Sequence, residues 1–348
     1  MIYPWQQDAW NNLQSLRGQW PHALLFHGQA GTGKADFARH LAHGLLCEAP
    51  LAGGHPCGAC PACRWLAQGN HPDFRIVVPE SMMADVAPAD AEEGVANNNS
   101  SADGDGEKKS RALSREIKIE QIRSLLEFCT VGAHRGGLRV VVLYPAEALN
   151  TAAANALLKT LEEPPPSVVF LLVSAHIERL LPTVVSRCRQ WPLPRPDTTA
   201  ALAWLSAQGL AEPQALLAEA GGAPLAAVGL AQDPHRDLQR LTLAQWAAGA
   251  NCDAFACGEA LQKAPIPLVL GWMQRWLFDL LAFKTAGQGR YYPAAAEALA
   301  RCAKQADAGR LARLIHVVNR QRAAENHPLN ARLVVEELML GYRDIFSA

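Results

Sequence analysis

The chain has 348 residues, which is long enough for two or three domains with apolar cores. Its 32 lysines and arginines nearly balance its 33 aspartates and glutamates, and the resulting net charge of −1 excludes a protein that coats nucleic acid through bulk positive charge. Apolar residues make up 49% of the chain, which is typical of globular proteins.

The first residues contain no basic stretch followed by an apolar core, so no signal peptide is predicted. No apolar run stands out as long enough to span a bilayer, and no membrane segment is expected. Without these signals, we expect a cytoplasmic protein. In that compartment, nine cysteines indicate reduced thiols and a metal site, and not a disulfide framework.

The first motif along the chain is the glycine-rich run Gly-Gln-Ala-Gly-Thr-Gly-Lys-Ala at residues 28–35. Apolar residues predict a buried strand at 22–27, and helical spacing predicts a helix at 34–46. A strand, a glycine-rich loop and a helix in this order predict a phosphate-binding loop. Its candidate phosphate-binding residues are Gly28, Gly31, Thr32, Gly33 and Lys34. The motif requires a final hydroxyl residue to ligate Mg²⁺, and that position is Ala35 here.

Four cysteines follow with the spacing C-x₉-C-x₂-C-x₂-C, at positions Cys47, Cys57, Cys60 and Cys63. Tetrahedral Zn²⁺ accepts four thiolates, and C-x₂-C turns bring thiolates to the right separation. We predict a structural zinc site at about 47–63, because nothing indicates an open coordination position. The alternatives are His55 or His71 as a competing ligand, an iron–sulfur cluster, or structural cysteines without a metal.

Strands and helices then alternate as far as residue 195. Apolar runs and helical spacing predict strands at 74–78, 139–144 and 168–173, and helices at 119–131 and 151–163. Continuous apolar strands are typical of a sheet that is buried on both faces. The alternation therefore predicts a parallel, three-layer α/β domain over residues 1–195.

Two parts of the chain depart from this alternation. Residues from about 80 to 113 are polar, and we expect a flexible surface insertion without a function of its own. Beyond the α/β domain the strand signals stop, and helical periodicity predicts two helical domains at 196–238 and 239–348. Trp272 and Trp276 are expected in the core of the second helical domain.

The glycine-rich loop has no acidic partner of the kind that nucleotide hydrolases use. In such enzymes, an acid at the end of a neighbouring buried strand holds Mg²⁺. The strand at 139–144 ends in Tyr144-Pro145, and the nearest carboxylate is Glu147. We interpret Glu147 as a helix-start or surface residue, with a displaced metal ligand as the alternative. The loop is expected to hold phosphate through Lys34 and its amides, and the chain alone is not expected to hydrolyse nucleotide.

Two later segments resemble a known family. The run Asn-Ala-Leu-Leu-Lys-Thr-Leu-Glu-Glu-Pro-Pro at 155–165, with Ser-Arg-Cys at 186–188, is similar to the bacterial replicative clamp loaders, the AAA+ ATPases of the DNA polymerase III holoenzyme. The likeness covers residues 1–195, and residues 326–340 resemble the family's last helix. It implies an AAA+ P-loop parallel sheet with a zinc knuckle, followed by a small helical lid at 196–238 and a C-terminal all-α collar at 239–348 that mediates oligomerisation.

The resemblance also implies a subunit that does not hydrolyse ATP. The family's motor subunits carry Asp-Glu where this chain has Tyr144-Pro145. They also carry an arginine in the lid after a Gly-Gly pair, whereas the Gly-Gly pair of this chain is followed by Ala223. A subunit of this non-hydrolysing kind, here called the stator, belongs to a DNA-directed DNA polymerase holoenzyme. It would bind structural Zn²⁺, and the resemblance leaves open whether it binds ATP or ADP. Its partners would be the gamma/tau ATPase subunits, the delta subunit, the sliding clamp and, through the assembled complex, primed DNA.

Arg187 gains a role from the same resemblance. In this family the Ser-Arg-Cys arginine projects into the ATP site of a neighbouring subunit, where a guanidinium stabilises charge on the transferred phosphoryl group. From the residues alone, an ion pair with a local carboxylate is the alternative, and we assign Glu162 no chemistry. Two other functions remain as alternatives: an active ATPase that recruits Glu147, and a zinc knuckle that binds nucleic acid.

Overall fold

The computed structural model describes residues 1–84, 113–134, 137–262, 264–323 and 331–347. Backbone contacts divide the chain into two units, Met1–Arg195 and Pro196–Ala348. Most of the polar insertion predicted at about 80–113, and the segment 326–330 of the predicted last helix, lie outside the described residues. At the near edge of the insertion, Glu80 forms an ion pair with Lys118 at 2.7 Å and accepts a hydrogen bond from the Ser114 amide at 3.1 Å.

The first unit is built on a five-stranded sheet in which every pairing is parallel. Its strands are β1 Ala23–His27, β2 Phe74–Val77, β3 Arg139–Leu143, β4 Val168–Ser174 and β5 Arg189–Pro192. They lie in the order β2-β3-β4-β1-β5. The four strands predicted from apolar runs are confirmed, and each differs from its prediction by one residue at one end.

The fifth strand was missed because it lies at an edge of the sheet. Three of the four residues in β5 are exposed, so the segment has no apolar run by which to recognise it. It is identified as a strand only by its parallel pairing with β1, which sets Leu24 opposite Arg189 and His27 opposite Pro192.

Helices cover both faces of this sheet, as the predicted three-layer arrangement requires. They are α1 Gln7–Leu13, α2 Lys34–Leu46, α3 Pro61–Ala67, α4 Ile119–Thr130, α5 Thr151–Glu162 and α6 Pro182–Val185. On one face, Phe37 and Leu41 of α2 pack with Trp10 against alternate strand residues such as Phe26. On the other face, α4 and α5 pack against the remaining strand residues, such as Phe170. The predicted α/β fold is therefore confirmed.

The second unit is helical throughout its described residues, as predicted. Its helices are α7 Thr198–Ala207, α8 Pro213–Glu219, α9 Pro224–Ala231, α10 Arg236–Ala247, α11 Ala254–Leu261, α12 Ile266–Ala286, α13 Ala296–Gln305, α14 Ala308–Ala323 and α15 Ala331–Asp344. One apolar core joins α7 to α9, and a larger one joins α10 to α15. Trp272 and Trp276 are both buried in the larger core, which confirms their predicted place.

Helix α12 corrects the expectation that no apolar run of this chain is long enough to span a bilayer. Its 21 residues include an 18-residue window with a mean hydropathy of 1.2, so by length and composition this helix could cross a membrane. Half of that window is buried inside the protein. The helix also contains Asp279, which is fully buried and accepts hydrogen bonds from the amides of Arg290, Tyr291 and Tyr292 at 2.7 to 3.1 Å. These contacts are those of a core helix.

Replacing Asp279 tests the importance of this buried carboxylate. Asp279→Ala removes the acceptor of three backbone amides, and each buried donor without a partner costs about 1–3 kcal/mol. We expect the free energy of unfolding to fall by about 3 kcal/mol or more, measured by chemical denaturation. Asp279→Asn keeps an acceptor oxygen and should lose less. An alanine variant as stable as the parent protein would contradict this role.

Candidate functional site

The glycine-rich loop connects β1 to α2 at the carboxyl edge of the sheet. Two of its glycines are required by close approach of other groups. A Cβ on Gly28 would lie 2.6 Å from the carbonyl oxygen of Leu193, and a Cβ on Gly33 would lie 2.3 Å from the ring of Tyr3. Gly33 also has a φ of +84°, in the left-handed region that favours glycine.

The loop amides are arranged as they would be for an anion. Helix α2 begins at Lys34, so the amides of its first turn have no partner within the helix. Among the described residues, the N–H groups of Gly31, Thr32, Gly33 and Lys34 have no backbone acceptor. Amides at a helix N-terminus, together with the helix dipole, form a binding site for phosphate. The predicted phosphate-binding residues are thus brought together in one loop.

The lysine of the loop is folded back on the loop itself. Lys34 is buried, and its Nζ donates to the carbonyl oxygen of Gln29 at 2.6 Å, which also accepts from the Thr32 hydroxyl at 2.9 Å. Burial lowers the pKa of Lys34 to about 8, while the carboxylate of Glu147 acts in the opposite direction. The ammonium is therefore close to neutralisation just above physiological pH.

The N-terminal residues cover the loop, a feature that the sequence analysis missed. Gln6 is buried and donates from Nε2 to the carbonyl oxygens of Thr32 and Gly33, both at 3.0 Å. The indole N–H of Trp5 donates to the same Thr32 oxygen at 2.9 Å, and the Tyr3 hydroxyl donates to Asp36 at 2.9 Å. A buried glutamine in a short turn belongs to no motif or period, so no sequence signal could have found it.

Glu147 lies at the start of a short helical turn, which is one of the two positions that the sequence favoured, and it is partly buried. It lies after β3 in the short 3₁₀ turn Ala146–Ala148, and its Oε1 accepts from the amide of Ala175 at 2.9 Å. Its Oε2 is buried and has no hydrogen-bond partner in the described part of the chain. Ser174, at the end of β4, is fully buried, and its hydroxyl accepts from the His176 amide at 3.0 Å. The carboxylate of Glu147 thus lies near the loop, although it is not at the end of β3.

Arg187 lies just after α6, on a different part of the unit. Its side chain is 30% exposed and forms an ion pair with Glu162, the last residue of α5. Its Nη1 also donates to the carbonyl oxygen of Thr183 at 2.8 Å and to the Ser186 hydroxyl at 3.3 Å. The local ion pair that the sequence analysis kept as an alternative is present, and Glu162, to which no chemistry was assigned, is its partner.

The four predicted thiolate ligands form one cluster. The Sγ atoms of Cys47, Cys57, Cys60 and Cys63 all lie within 4.8 Å of one another. The separations are 3.9 Å between Cys47 and Cys60 and 4.0 Å between Cys57 and Cys63. Sulfurs on one tetrahedral zinc lie about 3.8 Å apart, since each Zn–S bond is about 2.3 Å long. The cluster therefore has the size and donor set of a zinc site.

Backbone amides support the charged form of these thiols. The Sγ of Cys57 accepts from the amides of Ala59 at 3.5 Å and Cys60 at 3.4 Å. These hydrogen bonds, that of Ala59 first, lower the pKa of Cys57 to about 6. The amides of Cys57 and Cys63 donate in the same way to Cys47 and Cys60, at 3.3 and 3.4 Å.

The two histidines considered as competing ligands are not part of this cluster. His55 is paired instead with His40, with 2.9 Å between their ring nitrogens, and Trp10 stacks on its ring. His71 is buried, and its Nδ1 accepts from the amide of Asp73 at 3.0 Å. Among the described residues, the close group of potential ligand atoms consists of the four cysteines alone.

Comparison with known proteins places both units in one family. The family model described as "DNA polymerase III, delta subunit" matches residues 5–197, and that described as "DNA polymerase III, delta subunit, C terminal" matches residues 234–344. The DNA polymerase III subunit delta' of Pseudomonas aeruginosa is 38% identical over 293 residues, which cover 81% of this chain and 78% of that protein. The subunit delta' of Escherichia coli is 32% identical over 80% of this chain and 76% of its own length.

A more limited likeness extends to another subunit of the same polymerase. The DNA polymerase III subunit tau of Escherichia coli is 34% identical over 176 residues, which cover 51% of this chain and 22% of that protein. The delta' relatives, in contrast, match at similar or higher identity over most of both chains. The chain belongs to the family of DNA polymerase III delta' subunits.

Proposed function

We propose that this chain is the stator of the clamp loader of DNA polymerase III, a cytoplasmic complex that loads the sliding clamp on primed DNA during replication. It would assemble through its C-terminal helices with the gamma/tau ATPase subunits and the delta subunit. The likeness to the delta' subunits over most of the chain supports the assembly, and the likeness to a tau subunit supports an AAA+ origin for the first unit.

The chemistry around the glycine-rich loop carries the proposal that this subunit does not hydrolyse ATP. Ala35 has no side-chain oxygen to offer Mg²⁺, and β3 is followed by Tyr144-Pro145, where no carboxylate is present. The loop keeps its amides and Lys34, which would hold the phosphates of ATP or ADP without cleaving them. Hydrolysis would take place on the neighbouring subunit, with Arg187 supplied in trans as the catalytic arginine.

One observation supports the second candidate, an active ATPase with unusual metal ligation. The Oε2 of Glu147 is buried without a partner in the described part of the chain, and its carboxylate is near enough to raise the pKa of Lys34. A divalent cation would satisfy such an oxygen. Against this, the same carboxylate accepts from the Ala175 amide through Oε1, and the loop still lacks its hydroxyl. The stator is therefore the function that we favour.

Arg187→Ala tests the arginine in trans. The variant should fold normally, since Arg187 is partly exposed, and a clamp loader reconstituted with it should hydrolyse ATP at least about tenfold more slowly at the site concerned. Arg187→Lys should be nearly as slow, because lysine lacks the bidentate guanidinium. The measurement is DNA-stimulated ATP turnover.

Two controls accompany the arginine variants. Arg179→Ala removes another exposed arginine from the same unit and should leave turnover unchanged. The isolated chain should show no turnover above background. Turnover by the isolated chain that Glu147→Gln abolishes would establish the active ATPase, and normal hydrolysis with Arg187→Ala would exclude the role in trans.

The loop is also expected to bind ADP in a way that depends on pH. With a pKa of about 8, Lys34 is mostly cationic at pH 7, and only about a tenth of it is charged at pH 9. The affinity for ADP should therefore fall as the pH rises from 7 to 9, which calorimetry can measure. Lys34→Ala should bind weakly at both pH values, while Lys159→Ala, which removes an exposed lysine, should behave like the parent chain. A pH-independent affinity would contradict the assignment.

We also propose that the four-cysteine cluster binds one structural Zn²⁺. Cys60→Ala should remove the metal, measured by elemental analysis, and lower the free energy of unfolding by about 3 kcal/mol or more. The matched control is Cys129→Ala, which removes a buried cysteine outside the cluster and should leave one zinc per chain. Retention of zinc by Cys60→Ala would refute the site. Zinc loss that weakened DNA binding but left stability unchanged would favour the nucleic-acid module instead.

A further inference from the structure

The ion pair between Glu162 and Arg187 joins two helix ends. Glu162 is the last residue of α5, and Arg187 follows directly after α6 and Ser186. A carboxylate at a helix C-terminus faces the negative end of the helix dipole, which is unfavourable unless a cation compensates it. The guanidinium of Arg187 supplies that cation. Glu163, the next residue along the chain, occupies the same end of α5 and is exposed.

Most N–H groups of the Arg187 guanidinium donate to acceptors within the same chain. Nη1 donates to the Thr183 carbonyl and the Ser186 hydroxyl, and Nη2 donates to Glu162. Nε is buried and has no acceptor within the described residues. A phosphate is best bound by two parallel N–H groups of the guanidinium fork. Nη1 uses both of its N–H groups, Nη2 uses one of its two, and Nε is buried, so an accessible parallel pair for a phosphate becomes available when the contacts of Nη1 and Nη2 open.

The ion pair between Arg187 and Glu162 is weak enough to open and close reversibly. The side chains of Arg187 and Glu162 are 30% and 48% exposed, so solvent screens their attraction. Exposed pairs of this kind shift an equilibrium by up to about fivefold. A terminal phosphate is an anion that can replace the carboxylate on the guanidinium, so the exchange would leave no charge uncompensated.

We infer that Glu162 is a positioning residue that holds Arg187 in a withdrawn state until the terminal phosphate of a neighbouring subunit's nucleotide replaces it. The inference rests on the proposed role of Arg187 in trans. In the withdrawn state the arginine is paired within its own subunit, and only the released fraction can bind the phosphate. The apparent affinity for the nucleotide therefore rises when the fraction of released Arg187 rises.

Glu162→Gln and its matched control Glu163→Gln test this inference. Both remove one negative charge from the same end of α5, and the glutamine in place of Glu162 keeps an acceptor for the guanidinium but loses the ionic attraction. In the clamp loader reconstituted with the full chain, Glu162→Gln should lower the KM for ATP by about two- to fivefold and leave kcat unchanged. Glu163→Gln should leave both constants unchanged. Adding Glu162→Gln to Arg187→Ala should have no further effect.

The outcomes separate this inference from the proposed function. If Arg187→Ala lowers turnover but Glu162→Gln and Glu163→Gln behave alike, Glu162 does not hold the arginine, and the inference is overturned while the role of Arg187 stands. A fall in kcat with Glu162→Gln would also overturn it, because Glu162 would then support the active position. If Arg187→Ala itself has no effect, the proposed function fails first.

Discussion

The parallel pairing of β1 with β4 on one side and β5 on the other is the constraint on which the candidate site depends. It sets His27 opposite both Ser174 and Pro192, so three connecting segments leave the sheet at one edge. The loop after β1 is then confined by the segment after β5, whose Leu193 oxygen leaves no room for a side chain at Gly28. Parallel sheets place binding loops at this edge as a general rule.

Lys34 and Arg187, the two cationic side chains of the candidate site, differ in burial. Lys34 is enclosed, bonded to its own loop, and has a pKa that burial depresses. Arg187 is partly exposed, and its ion pair is screened by solvent. A buried lysine suits the retention of a phosphate at a fixed place, whereas an exposed arginine suits a contact that forms only when another subunit arrives. This difference in burial agrees with the division of roles that we propose between the subunits.

The segment with the four cysteines packs on the helices beside the glycine-rich loop. Trp10 of α1 stacks on His55 and donates from its indole N–H to the carbonyl oxygen of Gly53 at 2.9 Å. A Cβ on Gly44 of α2 would lie 2.4 Å from the carbonyl oxygen of Gly54, so the cysteine segment packs directly on the helix that follows the glycine-rich loop. A metal in the cluster would therefore hold this segment against α1 and α2, which is a structural role.

Four features could be predicted from the amino-acid sequence: the α/β class, four of the five described strands, the glycine-rich loop and the group of four cysteines. Each of them produces a local pattern of apolar or chemically distinctive residues. The sequence also located Arg187 through its resemblance to a family. The contacts of individual side chains could be found only in the three-dimensional fold. Four features depend on contacts between residues far apart along the chain, which leave no period or spacing in the sequence. They are the strand β5, the contacts of Gln6 with the loop, the Glu147 oxygen that has no hydrogen-bond partner among the described residues, and the ion pair of Arg187.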